Sequence, residues 1–155
     1  MKRILSVLMM VALLGSSCGK SDSGGCQPVS PSAERTQLID FCKAASITYT
    51  EDISGLFYEI ITPGSGIAPT ATSTVSVVYT GKLLNGTTFD ATANPINLPL
   101  SSVIDGWKIG LPLIKKGGRI KLIIPSALAY SCTGAGTSIP PNTPLYFDVT
   151  LTDVK

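Results

Sequence analysis

Histidine is absent from all 155 residues. Its absence excludes Ser-His-Asp and Cys-His catalytic arrangements, removes the commonest metal ligand, and leaves no side chain that ordinarily titrates near pH 7. Charge is scarce and balanced, with twelve basic residues against ten acidic ones and a formal net charge of +2. Lys2 and Arg3 account for that surplus, so the rest of the chain is neutral and offers no electrostatic grip on nucleic acid. No apolar run approaches the roughly 20 residues that a membrane-spanning helix needs; the run from Ile4 to Leu14 has eleven. Cysteine is limited to four residues, too few and too widely spaced for a structural zinc site. The length leaves room for one domain of about 100 residues plus an export segment.

The N-terminus carries an address. Met1-Lys2-Arg3 is a short basic region, Ile4 to Leu14 is the apolar core, and Gly15-Ser16-Ser17 supplies the small residues that signal peptidases require. Residues 1–17 therefore read as a signal peptide. Cys18 follows directly, a placement that resembles the lipobox of bacterial lipoproteins, although Gly15 stands where that pattern prefers leucine. The resemblance implies acylation of Cys18 and attachment to a membrane through lipid alone. The stretch Gly19 to Gly25 is a flexible polar tether.

Export places Cys26, Cys42 and Cys132 where disulfides persist. Ser30-Pro31 is a helix start, with serine as N-cap and proline at the first helical position, and Leu38, Phe41, Cys42 and Ala45 recur at helical spacing. Cys42 lies near the far end of that helix, about 18 Å from its start, so Cys26 reaches it only if the linker doubles back. The expectation is a bond from Cys132 to either Cys26 or Cys42; the alternative is a set of free, partly buried thiols.

Beyond Ser54 the pattern becomes alternating. Leu56, Tyr58 and Ile60 share one side of a strand that ends at Pro63-Gly64, and Val75, Val77, Tyr79 and Leu83 share one face of a second. Asn85-Gly86 predicts a two-residue type I′ turn. That register sets Gly81 opposite Asp90, puts Asp90 diagonal to Tyr79, and sends Phe89 to the other face unless the strand bulges. Ser102-x-x-Asp105 predicts a capped start to a short helix carrying Ile104, Trp107 and Leu111 on one stripe. Gly106 and Gly110 weaken that helix by about 1 kcal/mol each and predict a close approach of its backbone to whatever lies beneath it. Ile120, Leu122 and Ile124 alternate along a third strand, and Leu145, Phe147, Val149 and Leu151 along a fourth. The fold class is α+β, an antiparallel β-sheet wrapped around one short helix, with an extra N-terminal helix.

Several of these segments form a recognisable series: Val77-Val78-Tyr79-Thr80-Gly81, Asn85 to Asp90, Val103-Ile104-Asp105-Gly106-Trp107, Lys116-Gly117-Gly118-Arg119, Ala129-Tyr130, Ile139-Pro140-Pro141-Asn142 and Leu145 to Val149. In order and spacing the series resembles the FKBP-type peptidyl-prolyl cis/trans isomerases over nearly all of residues 55–155. The resemblance divides the chain into the signal peptide, residues 18–53 as anchor, tether and helix, and residues 54–155 as the isomerase domain. It implies that Tyr79, Phe89, Asp90, Trp107, Tyr130 and Phe147 are catalytic, with Trp107 as the pocket floor. It implies Val103, Ile104 and Ile139 as substrate-binding residues, and Ile96 and Leu98 as counterparts of an aromatic pair found in eukaryotic relatives.

The reaction so implied is rotation about Xaa-Pro bonds by non-covalent stabilisation of a twisted amide, with no cofactor and no metal. Asp90 orients Tyr79, and the Ile104 N–H and the Tyr130 hydroxyl hold substrate carbonyls. The partners implied are proline-containing or unfolded polypeptide clients, macrolide ligands and a membrane, with no nucleic acid. The alternative is a non-catalytic peptide-binding or chaperone module of the same fold. Ser131 replaces the family's usual glycine after the Tyr130 position, and Ser138 stands where an aliphatic residue is frequent.

Overall fold

The computed structural model describes residues 25–155. The expected signal peptide, the Cys18 anchor and nearly all of the tether lie outside the described residues. The described chain forms two helices, α1 (Pro31–Ala44) and α2 (Asp105–Gly110), and six strands. The strands are β1 (Thr50–Glu51), β2 (Phe57–Thr62), β3 (Thr74–Leu83), β4 (Thr88–Pro99), β5 (Arg119–Ile124) and β6 (Leu145–Val154). They make one sheet in the order β1-β2-β5-β6-β3-β4, and every pairing is antiparallel.

Alternation along the strands assigns the faces. Val75, Val77, Ile120, Leu122, Ile124, Leu145, Val149 and Leu151 are fully buried on the side that carries α2 and join Trp107, Leu111 and Phe147 in the main core. The opposite face is also covered, but only near β2 and β5. Helix α1 begins at Pro31 with Ser30 in the N-cap position, where the Ser-Pro pair puts it, although the Ser30 side chain makes no cap hydrogen bond and meets the Ser32 hydroxyl instead; the helix buries Glu34, Leu38 and Cys42 along one stripe. Leu38 and Cys42 pack with Ile47, Phe57 and Ile123. Neighbours in sequence therefore both reach zero exposure, Leu56 beside Phe57 and Leu122 beside Ile123, because the sheet is sandwiched there. Burying each of the larger side chains is worth about 1.5–3 kcal/mol. Burial also pushes the Cys42 thiol up to about 11, so it is an inert packing group.

Helix α2 lies against β5 at glycine distance. A Cβ built on Gly106 would stand 2.5 Å from Ile124 Cγ2, and one on Gly110 would stand 2.5 Å from Leu122 Cδ2. The close approach read from the glycine spacing is therefore made to β5. The capping box is not. Ile104 occupies the N-cap position with no side-chain cap bond, and Ser102 belongs to a 3-10 turn, Leu100–Ser102. Asp105 pairs with Lys108 at 2.9 Å instead. The helix start is set by the Ile104 carbonyl, which accepts the N–H groups of Trp107 and Lys108.

The β3–β4 hairpin corrects a second expectation. Leu83 N–H donates to the Thr87 carbonyl, and Gly86 N–H to that of Leu83. The loop therefore has three residues, with positive φ at Gly86 and not at Asn85, whereas a type I′ turn needs it at both. A three-residue loop alone would shift the register by one. Phe89 removes the shift by bulging: Lys82 faces Thr88, Gly81 faces Asp90, and Phe89 is the extra residue between them. The expected Gly81–Asp90 pairing thus arises from two compensating departures.

The Gly106 contact decides between opposed effects. Alanine gains about 1 kcal/mol of helix propensity, but its methyl would overlap a fully buried isoleucine, and overpacking costs about 1–3 kcal/mol. Gly106→Ala is expected to lower stability by up to about 2 kcal/mol, read as a lower midpoint in urea unfolding.

Candidate functional site

A cavity of about 240 Å³ opens between α2, the β3–β4 ribbon and the loop after β5. Its walls are Tyr79, Phe89, Asp90, Leu98, Ser102, Val103, Ile104, Trp107, Tyr130 and Phe147. Four of its aromatic rings form one cluster. Trp107 meets Tyr79 edge to face at 5.1 Å and Phe147 at 5.3 Å, and Phe147 meets Phe89 at 5.5 Å. Edge-to-face contacts of this kind add about 0.5–1.5 kcal/mol each beyond area burial, so the rings hold one another in orientation.

Each position has a local cause. Trp107 sits in α2, whose two glycines let it settle against the sheet, and the indole is only 4% exposed. Its Nε1 is buried without an acceptor among the described residues. Phe147 comes from β6, opposite Gly81 on β3 and Leu122 on β5. Gly81 is the vacancy into which the rings fit. A Cβ there would stand 2.7 Å from Phe89 Cζ and 2.8 Å from Phe147 Cε1. The Phe89 bulge and the missing side chain at Gly81 are two halves of one device, since the bulge turns the ring inward and the glycine leaves it space.

The Tyr79 hydroxyl donates to Asp90 Oδ2 at 2.5 Å. Burial, and then the hydrogen bond to this carboxylate, hold the phenol well above its usual range. Tyr79 therefore remains a protonated donor, and its contribution to stability, present below about pH 10, is lost only as pH rises through the raised value. Tyr130 is 37% exposed at the opposite wall. The next residue, Ser131, has φ +50°, a left-handed conformation that costs a non-glycine residue about 1–2 kcal/mol; this is the physical reason a glycine suits the position.

All six residues expected to be catalytic, Tyr79, Phe89, Asp90, Trp107, Tyr130 and Phe147, meet at this cavity, with Val103, Ile104 and Leu98. Two expected wall residues do not line it. Ile139 is 4% exposed and packs in the main core, drawn in by its bridge to Ala135. Ile96 is 36% exposed beside a bulge in β4, where three residues intervene between the partners of Tyr79 and Val77 and only one does on β3. That bulge, containing Pro95, carries Ile96 towards solvent. Ser102 is a lining residue that the sequence reading took for a helix cap. No pattern marks it otherwise, because a 3-10 turn and a capping box present the same letters.

The lining contains no cysteine, lysine or histidine, and its one serine has no base beside it. The class defined by this fold and cavity is an antiparallel sheet wrapped on one short helix, with a pocket lined mainly by aromatic and aliphatic side chains. Residues 66–152 match the family described as FKBP-type peptidyl-prolyl cis-trans isomerase. The chain is 46% identical over 119 residues to a probable FKBP-type peptidyl-prolyl cis-trans isomerase of Haemophilus influenzae, an alignment covering 75% of this chain and 48% of that protein. The crystal structure of FkpA from Escherichia coli superposes with a TM-score of 0.71 at 38% identity, covering 81% of this chain and 61% of that one. A peptidyl-prolyl cis-trans isomerase from Pseudomonas syringae gives 0.70 at 34% identity, covering 83% and 98%. The chain belongs to the FKBP-type peptidyl-prolyl cis-trans isomerase family. It spans about half or less of the length of the first curated relatives it matches.

Because the Asp90 hydrogen bond contributes to the upward displacement of Tyr79, Asp90→Asn is expected to lower that phenol's pKa. The carbon-13 shift of the Tyr79 ring, followed across an alkaline titration, measures it.

Proposed function

We propose that this chain catalyses cis/trans isomerisation of Xaa-Pro bonds in exported polypeptides. The observation that supports this reading most directly is the indole at the inner wall of an open, aromatic cavity sized for a proline ring and its neighbours. The reaction demands no nucleophile. Rotation about the bond meets a barrier of about 18–20 kcal/mol because amide resonance is lost. A twisted amide is less charge-separated than a planar one, so a dry apolar pocket favours it over either planar isomer.

The pyrrolidine ring would lie on Trp107, between Phe89, Phe147 and Tyr79. The Ile104 N–H and the Tyr130 hydroxyl would hold the flanking carbonyls. Asp90 would orient Tyr79 and set the local field without transferring a proton. A 10⁵-fold acceleration requires about 7 kcal/mol of differential stabilisation, which several contacts made best by the twisted form can supply together. Clients would be unfolded or proline-containing chains. A macrolide would cover the mouth of the cavity, because 240 Å³ is below the ~300–1,000 Å³ of pockets that enclose drug-sized ligands.

The basic, apolar and small-residue stretches at the N-terminus support export, and the Cys26–Cys132 disulfide suits an oxidising compartment. Acylation at Cys18 would hold the protein at a bacterial membrane, either on the periplasmic side or at the cell surface. Among the described residues no helix is long and apolar enough to cross one.

Exchange NMR on a short Xaa-Pro peptide tests the activity, with line broadening expected at catalytic protein concentrations and none if the domain only binds. Phe89→Ala, at a half-buried ring, is expected to keep the fold, checked by its circular dichroism spectrum, and to lower kcat/KM by more than about tenfold; unchanged turnover would remove Phe89 from the site. Cys18→Ala is expected to release the protein from membranes on fractionation.

A further inference from the structure

The segment before β1 does more than cover one side of the sheet. Cys26 is disulfide-bonded to Cys132, with Cα atoms 5.2 Å apart, two residues beyond Tyr130. The Asn142 carboxamide grips the same segment from the other end of the loop: its Nδ2 donates to the Gln27 carbonyl at 3.1 Å, and its Oδ1 accepts the Val29 N–H at 3.3 Å. Where the loop leaves β5, Glu34 of α1 is 6% exposed and accepts the Ser126 N–H at 2.7 Å. Three ties from residues 26–34 thus reach the beginning, middle and end of residues 126–142.

That loop needs external support. It contains no strand, only 3-10 turns and the isolated Ala135–Ile139 bridge. Ser131 has positive φ without being glycine, a conformation that persists only when the surroundings impose it; Asn142 shares it, as asparagine readily does. The two are joined directly, Asn142 N–H donating to the Ser131 carbonyl at 2.8 Å. Tyr130, which forms one wall of the cavity, sits between the Glu34 tie and the disulfide.

We propose that residues 26–34 form a positioning clamp for the pocket, in which the Cys26–Cys132 bond, the Asn142 carboxamide and the Glu34 carboxylate together hold the loop that presents Tyr130 to the substrate. Residues 26–34 lie upstream of the family match at 66–152, whereas Cys132 and Asn142 lie within it. The clamp's functional consequence rests on the isomerase reading. Its structural half does not. The clamp limits where the Tyr130 hydroxyl can stand, and therefore acts on substrate binding more than on the rotation itself.

Two variants isolate it. Cys26→Ser combined with Cys132→Ser removes the covalent tie, and Asn142→Gly removes the carboxamide while tolerating the positive φ. In each, hydrogen exchange of the full chain at the amides of Ala135, Ile139 and residue 142 is expected to accelerate about tenfold over the disulfide-bonded parent, with the Tyr79 and Val149 amides of the sheet unchanged. With an Xaa-Pro peptide, KM is expected to rise about fivefold while kcat moves less than about twofold. Asn142→Asp, which keeps an acceptor for Val29, should fall between. Unaltered loop exchange in both variants overturns the clamp, and faster exchange with an unmoved KM overturns its positioning role. If the unmodified protein shows no isomerisation, the isomerase reading fails, and the exchange rates alone decide whether the clamp exists.

Discussion

The architecture of the site depends on how closely one short helix approaches one strand. Gly106 and Gly110 bring α2 to within a methyl group of Ile124 and Leu122 on β5, and that distance sets the depth of the Trp107 indole. A larger residue at either position would lift the helix and raise the ring. At its present depth the indole meets Tyr79 and Phe147 edge to face, leaving a hollow above it instead of a filled core. Two glycines that weaken a six-residue helix are thereby converted into a precisely placed aromatic surface, and tertiary packing replaces the helix stability they remove.

The opposite wall obeys a matching constraint. Phe89 reaches the cavity only because β4 bulges there, and it stays only because Gly81 has no side chain to occupy the same volume. Phe147 uses that vacancy too, so three strands and the helix converge where one Cβ is missing. Asp90, the residue after the bulge, meets the Tyr79 hydroxyl on the register that the bulge restores. The polar pair and the aromatic cluster are consequences of one local irregularity in the backbone, located at the pocket as bulges often are.

The second layer of the protein, α1 with its leading segment, covers the other face of β2 and β5 and extends to the loop over the cavity. Clusters on both sides of the sheet stiffen β5, which bears α2 on one side and α1 on the other. Two charged pairs cross neighbouring strands: Arg119 binds Asp148 at the surface, and Lys121 binds Glu59 in a partly buried position. A surface pair contributes little, and the fold depends mainly on its two apolar clusters.

Much of this was legible before any coordinates, because the relevant signals are local. Period-two alternation identified the faces of β3, β5 and β6, the Ser-Pro pair located the start of α1, and the Gly106–Gly110 spacing announced a close approach without naming its partner. The motif series brought together most of the lining, since residue type and order persist where chemistry is retained. What remained hidden depends on distances between remote parts of the chain. Cys26, rather than Cys42, reaches Cys132 across 106 residues because α1 packs Cys42 inward. Ile139 is drawn into the core and Ile96 displaced by a bulge, although both read as wall residues. The turn and the bulge of the β3–β4 hairpin cancel in register, so the pairing could be anticipated while its geometry could not. Sequence alone determined which side chains are apolar, aromatic or conformationally free; only three-dimensional packing decided which of them share a surface, because that choice is made by steric exclusion among residues far apart in the chain.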